Sequence, residues 1–127
     1  MVLLNPRHDD ASAFLRPDLQ NTFWFWPLGV KGSREYERAS YTIDVLKLNE
    51  RSDLLVARKE AYDSYRARLV EYIKLRGGGV QQNRLDRYKA ALQNMQHPTV
   101  WAEMKRQYLL IPELKELFAQ VPEALNW

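Results

Sequence analysis

Apolar residues recur every three or four positions from residue 33 to residue 121, which is the spacing of amphipathic helices. The longest stripe, through Ala61, Tyr65 and Leu69, predicts a helix of about 24 residues that ends at the glycines 77–79. Four shorter stripes bring the prediction to about five helices. They run through Tyr36–Leu46, Leu85–Met95, Trp101–Tyr108 and Leu114–Val121.

Polar residues beside these stripes predict where the helices begin and end. Ser33, either Ser52 or Asp53, and Thr99 are placed to accept a hydrogen bond from the first turn of the helix that follows. Asn49 is placed to end the first helix. Since these residue types favour helix ends, we expect them to set the boundaries.

The first thirty residues have a different pattern, in which three prolines leave only short extended pieces. The segments VLL (residues 2–4) and NTFWFWPL (residues 21–28) predict two strands. Successive side chains of a strand point to opposite faces. The second strand is therefore aromatic on both, with Trp24 and Trp26 on one face and Phe23 and Phe25 on the other.

These patterns predict a mainly α fold of the α+β class, a bundle of about five helices with a small N-terminal β element. A chain of 127 residues is long enough to close one hydrophobic core. We expect a single domain over residues 1–127, in which residues 1–30 contain the strands and residues 33–127 are helical.

Composition narrows the class of protein. Apolar residues make up 46% and charged residues 28% of the chain, as in globular proteins that are soluble. Cysteine is absent, which excludes disulfides, thiolate metal sites and a thiol nucleophile. No run of about 20 apolar residues predicts a membrane helix, and the start MVLLNP is too short for a signal peptide. We expect a cytoplasmic protein without a membrane partner or a cofactor.

The net charge of +3 hides a separation of charge along the chain. Residues 51–106 hold twelve Lys and Arg against six Asp and Glu, a balance of +6, against −1 for residues 1–50 and −2 for residues 107–127. A basic helical face over residues 52–96 is one hypothesis for nucleic-acid binding through phosphate contacts. A basic face that is only solvated is the alternative. The candidate contacts are Arg58, Arg66, Arg68, Arg76, Arg84 and Arg87.

His8, Asp9 and Asp10 are the candidates for metal-dependent chemistry, because a histidine beside two carboxylates supplies metal ligands and an acid and base. Adjacent residues rarely converge on one ion, and no HxxxH, CxxC or HExxH pattern accompanies them. The alternative is structural: Asp9 or Asp10 caps a short helical turn that runs through Phe14. If these residues bound a metal, the function they would support is that of a metal-dependent hydrolase.

His97 is the other histidine of the chain and precedes Pro98, which separates two predicted helices. An imidazole at that place interacts favourably with the C-terminal end of the preceding helix. We interpret His97 as a capping residue and not as a catalytic one. The glycines 77–79 lack a GK[ST] or GxGxxG context, so they are interpreted as a helix stop.

The order of several segments resembles the region that follows the catalytic core in HNH endonuclease family proteins of retrons and other mobile elements. These segments are LLNPRHDDASAFL (3–15), SREYERASYTIDVLKLNERSDLLVARKEA (33–61), PTVWAEMKRQYL (98–109) and PELKELF (112–118). In that family the HNH core lies upstream and supplies the metal-binding and general-base histidines. The resemblance therefore implies an accessory part without the core, and assigns nuclease chemistry to no residue here.

We accordingly expect a non-enzymatic accessory or protein-interaction module, from a mobile genetic element. Nucleic-acid binding and metal-dependent hydrolysis are the two alternatives.

The N-terminal β segment also predicts an assembly. Unpaired strand edges and exposed aromatic side chains favour pairing with a second chain. The prediction is a two-fold symmetric homodimer with Phe23, Trp24, Phe25 and Trp26 at its centre. In the alternative, the helices of one monomer cover both aromatic faces.

Overall fold

The computed structural model describes residues 11–127, and they form a mainly helical α+β fold, as the pattern predicted. The predicted strand over residues 2–4 lies outside the described residues. The elements are α1 (Ala11–Phe14), β1 (Leu15–Pro17), β2 (Phe25–Pro27), α2 (Arg34–Val45), α3 (Ser52–Gly77), α4 (Gln82–Gln93), α5 (Pro98–Gln107), α6 (Pro112–Gln120) and a 3₁₀ helix (Pro122–Asn126).

β1 and β2 form a two-stranded antiparallel sheet in which Arg16 lies opposite Trp26. Only Phe25–Pro27 of the predicted strand over residues 21–28 is extended and paired. Its partner, Leu15–Pro17, was not predicted, because its buried–exposed–buried alternation covers only three residues and ends in proline, too short a run to indicate a strand. The predicted helical turn through Phe14 is confirmed as α1.

α2 begins as predicted, since the Ser33 hydroxyl oxygen accepts a hydrogen bond from the Tyr36 amide at 3.2 Å. The prediction that Asn49 ends this helix was wrong. Lys47, with a φ of 54°, ends it, and the Leu48 amide donates back to the Ile43 carbonyl at 3.0 Å. This is a Schellman motif in which lysine stands where glycine is the usual residue.

α3 is the long helix that the pattern predicted, and it has 26 residues. Neither Ser52 nor Asp53 caps it. Arg51 holds the N-cap position and makes no capping hydrogen bond through its side chain. At the other end Gly79, with a φ of 74°, forms a second Schellman motif. There the Val80 amide donates to the Leu75 carbonyl at 3.3 Å, so the glycines stop the helix as predicted.

α5 also begins earlier than expected. His97, with a φ of 61°, is the N-cap residue and Pro98 occupies the first turn, whereas Thr99 is buried and does not cap the helix. Burial and the positive charge of Arg58 lower the pKa of His97. α4 ends at Gln93, four residues before His97. The predicted interaction of the imidazole with the end of α4 stays a prediction.

The hydrophobic core lies along α3, which packs against α4, α5 and α6. Tyr65 of α3 stacks on Trp101 of α5 with ring centroids 5.2 Å apart, and Phe118 of α6 lies 5.9 Å from the same indole. Leu69 is fully buried. Aromatic packing therefore holds α5 and α6 on one side of α3.

Within residues 11–127, the structure contains no helix with the length and hydropathy required to cross a bilayer.

Candidate interaction surface

The turn between β1 and β2 is built around the Asp18 carboxylate. It accepts hydrogen bonds from the Gln20 amide at 3.1 Å, the Thr22 amide at 3.1 Å and the Thr22 hydroxyl at 3.0 Å. Partial burial acts to raise the pKa of Asp18, but these bonds outweigh it and hold the pKa below its ordinary value. The Thr22 hydroxyl oxygen in turn accepts from the Trp24 amide at 3.2 Å. The turn therefore fixes the backbone at Trp24.

Arg58, a residue of α3, attaches this turn to the helix. Its side chain is only 2% exposed, and its guanidinium donates to the Phe23 carbonyl at 2.5 Å and to the Leu48 carbonyl. The same group lies 3.7 Å from the centre of the Phe25 ring. Burial lowers the pKa of Arg58 to about 10, so the side chain remains charged at neutral pH.

Asn49 closes the outer edge of β2. Its amide oxygen accepts from the Phe25 amide at 2.6 Å, and its amide nitrogen donates to the Phe25 carbonyl at 3.0 Å. Pro27, the next residue on that edge, has no amide hydrogen. The amide and carbonyl of Phe25 on this edge are thus already hydrogen-bonded within one chain. We call Asn49 and Arg58 together the Arg58 clamp.

The four aromatic residues predicted at a dimer interface are divided by the fold. Phe23 is buried, with its ring 5.9 Å from Tyr62, and Phe25 is half-buried beneath Arg58. Trp24 and Trp26 are 42% and 48% exposed, and their ring centroids are 6.4 Å apart. The predicted alternation of faces is present, but only the two tryptophans are exposed. We call them the Trp24–Trp26 face.

A groove opens beside this face, between β2 and α2. It has a volume of about 610 Å³ and is bordered by two exposed aromatic side chains, Trp24 and Tyr41. We call it the Tyr41 groove. Its other lining residues include three carboxylates, and all together are Trp24, Glu37, Ser40, Tyr41, Ile43, Asp44, Asn49 and Glu50.

The six candidate nucleic-acid residues do not form one set. Arg58 is buried, so its place on the predicted basic face was wrong. Arg66 pairs with Asp63 at 2.8 Å and with Glu113 at 2.9 Å, and Arg76 pairs with Glu123. The remaining three are exposed and make no ion pair within residues 11–127. They are Arg68, Arg84 and Arg87.

The candidate metal ligands His8, Asp9 and Asp10 lie outside the described residues. Within residues 11–127 no three His, Cys, Asp or Glu side chains are grouped so that they could hold a metal ion.

His97 borders a pocket of about 250 Å³ together with Ser64 and Glu60. No hydrogen bond joins the three side chains in the described part of the chain.

Sequence patterns missed three residues that shape this surface. Tyr41 lies off the apolar stripe of α2 and carries no motif, although an exposed aromatic residue on a helix was a usable signal. Asn49 was interpreted as a helix end, and Arg58 as a residue of the basic helical face. Their contacts reach residues 23 and 25, a separation along the chain that periodicity does not report.

No protein-family model, no curated protein and no solved structure matches this chain. The resemblance to the HNH-associated region stays a prediction, and function is inferred from the contacts of the chain itself.

Proposed function

We propose that this protein is a non-enzymatic interaction module that binds a partner protein through the Trp24–Trp26 face. The observation that carries the proposal is the exposure of two neighbouring indoles, 42% and 48%, on a sheet whose backbone is fixed. Trp is the residue most enriched among those that dominate binding energy at protein interfaces. Neighbouring exposed aromatic residues mark such sites on monomeric proteins.

The rigidity of the sheet supports the proposal. The Asp18 turn holds the Trp24 amide, and the Arg58 clamp holds the carbonyls of Phe23 and Phe25. A surface that is already ordered loses little conformational entropy when a partner binds. The exposed indoles are therefore presented in a fixed position and need no rearrangement of the backbone. A resemblance to an accessory region fits such a module, but the proposal does not depend on it.

Site-specific photo-crosslinking in living cells tests the proposal. A photoreactive phenylalanine is placed at Trp24, at Trp26 or, as a matched control, at Val70, which is 37% exposed on α3 and lies about 18 Å along the helix from Arg58. We expect one discrete crosslinked protein from positions 24 and 26 and none from position 70. The same product must disappear when the unmodified Trp of the pair is changed to Ser.

Two results contradict the proposal: equal crosslinking from all three positions, or no product at 24 and 26. If the crosslinked product is a second copy of this chain, the partner is the homodimer that the β segment predicted. Light scattering coupled to size exclusion then gives twice the monomer mass, and Trp24→Ser with Trp26→Ser restores the monomer.

A further inference from the structure

We infer that the Tyr41 groove binds a positively charged side chain, arginine or lysine, from a basic segment of the partner protein. This inference rests on the proposed function and names the chemistry of the partner. It is carried by the combination, in one groove beside the Trp24–Trp26 face, of aromatic walls and three carboxylates, two of which form no ion pair within residues 11–127.

The aromatic walls supply the first attraction. Trp24 and Tyr41 are 42% and 38% exposed and both line the groove. A guanidinium or ammonium over the face of such a ring is attracted by its quadrupole, most strongly over Trp. The chain itself uses this interaction elsewhere, because Arg58 lies over Phe25 and Arg66 over Tyr62.

The carboxylates supply the second attraction. Within residues 11–127 neither Glu37 nor Asp44 forms an ion pair, and Glu50 has only Lys47, at 3.8 Å on the exposed surface. Glu37, Tyr41 and Asp44 are four and three residues apart, so they share one face of α2. A cation in the groove is therefore drawn by the rings and the carboxylates together.

The same charges select against other occupants. An apolar side chain that filled the groove would remove water from three carboxylates and give them no partner. An acidic segment or a nucleic-acid phosphate would be repelled by them. A volume of about 610 Å³ holds more than one side chain, so the occupant is a segment of chain and not a single ion.

Fluorescence anisotropy with defined peptides tests the inference. The probe is a fluorescein-labelled octapeptide with two arginines among glycine and serine, and its partner probe carries two glutamates instead. We expect saturable binding of the arginine peptide at about 20 mM salt, weakened several-fold at about 150 mM because exposed charges are screened. The glutamate peptide should not bind.

Variants of the groove locate the binding. Glu37→Gln combined with Asp44→Asn should weaken binding about fivefold or more, since each removes one exposed attraction. Trp24→Ala should weaken it by a similar factor through loss of the ring. The matched control is Glu35→Gln, which removes one charge from the same helix but lies two residues from Glu37 and so on the opposite face. That variant should bind within a factor of about two of the parent protein.

The outcomes separate this inference from the proposed function. If the arginine peptide does not bind, or binds equally to the double variant and to Glu35→Gln, the inference is overturned. The crosslinking experiment at Trp24 and Trp26 then still tests the proposed function independently. If the crosslinked partner is identified and its contacting segment lacks arginine and lysine, the inference fails while the interaction module remains. A second copy that presents Arg68, Arg84 or Arg87 to the groove would support it.

Discussion

Asp18, Asn49 and Arg58 each bind backbone groups that a two-stranded sheet leaves unpaired. A sheet this small has two edges and little hydrophobic surface, and an isolated hairpin is marginally stable in water. Buried amide and carbonyl groups must nevertheless be satisfied. Three polar side chains do this work here, and their bonds reach residues 20–25 and 48.

We expect Asp18→Asn to lower the free energy of unfolding at pH 7 by about 1 kcal/mol, because an amide accepts fewer of the three bonds. The pKa of Asp18 is lower in the folded protein than its ordinary value of 3.8. The stabilisation is therefore present in full above that value and is lost as pH falls through the folded-state pKa. Urea denaturation of both proteins between pH 7 and pH 3 measures the difference.

The control for that series is Asp86→Asn, which changes an exposed carboxylate of α4 that accepts one bond from Gln82. It should alter the free energy of unfolding by less than about 0.5 kcal/mol at every pH. A difference between wild type and Asp18→Asn that is constant down to pH 3 would contradict the role given to the Asp18 carboxylate.

Little at this scale could be predicted from sequence, and the reason is physical. Asp18 is typical of a turn, but nothing local shows that Arg58 is buried, because helical periodicity counts arginine as polar. Tyr62 was likewise left off the stripe of α3, although it is 4% exposed. Burial of these residues is decided by a turn that docks from about 35 residues away in the chain.

At the scale of elements, the ends of α2 and α3 are the same motif built from different residues. Gly79 ends α3 and Lys47 ends α2, both with a left-handed backbone. Glycine adopts this conformation without steric cost, whereas a side chain at Cβ makes it unfavourable by about 1 kcal/mol. α2 therefore carries a local strain that α3 does not.

Lys47→Gly should raise the free energy of unfolding by about 0.5–1 kcal/mol, since it relieves the left-handed strain. The ion pair that it removes, with Glu50 at 3.8 Å, is exposed and contributes little. The opposite change, Gly79→Ala, should lower the free energy by a similar amount. Urea denaturation measures both, and a destabilised Lys47→Gly would show that lysine contributes more there than its backbone costs.

Elements were more predictable than residues. The helices α2 to α6, from their apolar stripes, and the helical turn of α1 could be predicted from the sequence, because each helix buries one face against the core. The beginnings of α3 and α5 were not, because Arg51 and His97 hold positions where Ser52, Asp53 and Thr99 are the intrinsically better caps. Of the groove, the sequence indicated Trp24 but not Tyr41 or Asn49.

At the scale of the whole molecule, part of the positive charge of residues 51–106 is buried or neutralised by ion pairs. Arg58 is buried, while Arg66, Arg76 and Arg106 form ion pairs with Glu113, Glu123 and Glu103. Lys105 donates to the Trp127 carbonyl at 2.7 Å. The surface of α3 and α4 is therefore less basic than the sequence indicated.

This distribution predicts weak binding to nucleic acid. Of the six candidates, only Arg68, Arg84 and Arg87 are exposed without an ion pair within residues 11–127. We therefore expect no saturable binding of a 20-base-pair duplex below about 100 µM at 150 mM salt, the weak end of non-specific affinity. Fluorescence anisotropy measures it. Tight binding that is abolished by Arg68→Glu with Arg84→Glu would instead favour the nucleic-acid hypothesis.

The Arg58 clamp also sets how the sheet opens in time. The Phe25 amide donates to the Asn49 side chain and not to a strand, so we expect its hydrogen exchange to require the separation of Asn49 from β2. A ligand that binds Trp24 stabilises the sheet in its docked position and so slows hydrogen exchange of the Phe25 amide. The Phe25 side chain lies on the opposite face, so binding is detected at a residue whose side chain the ligand does not contact.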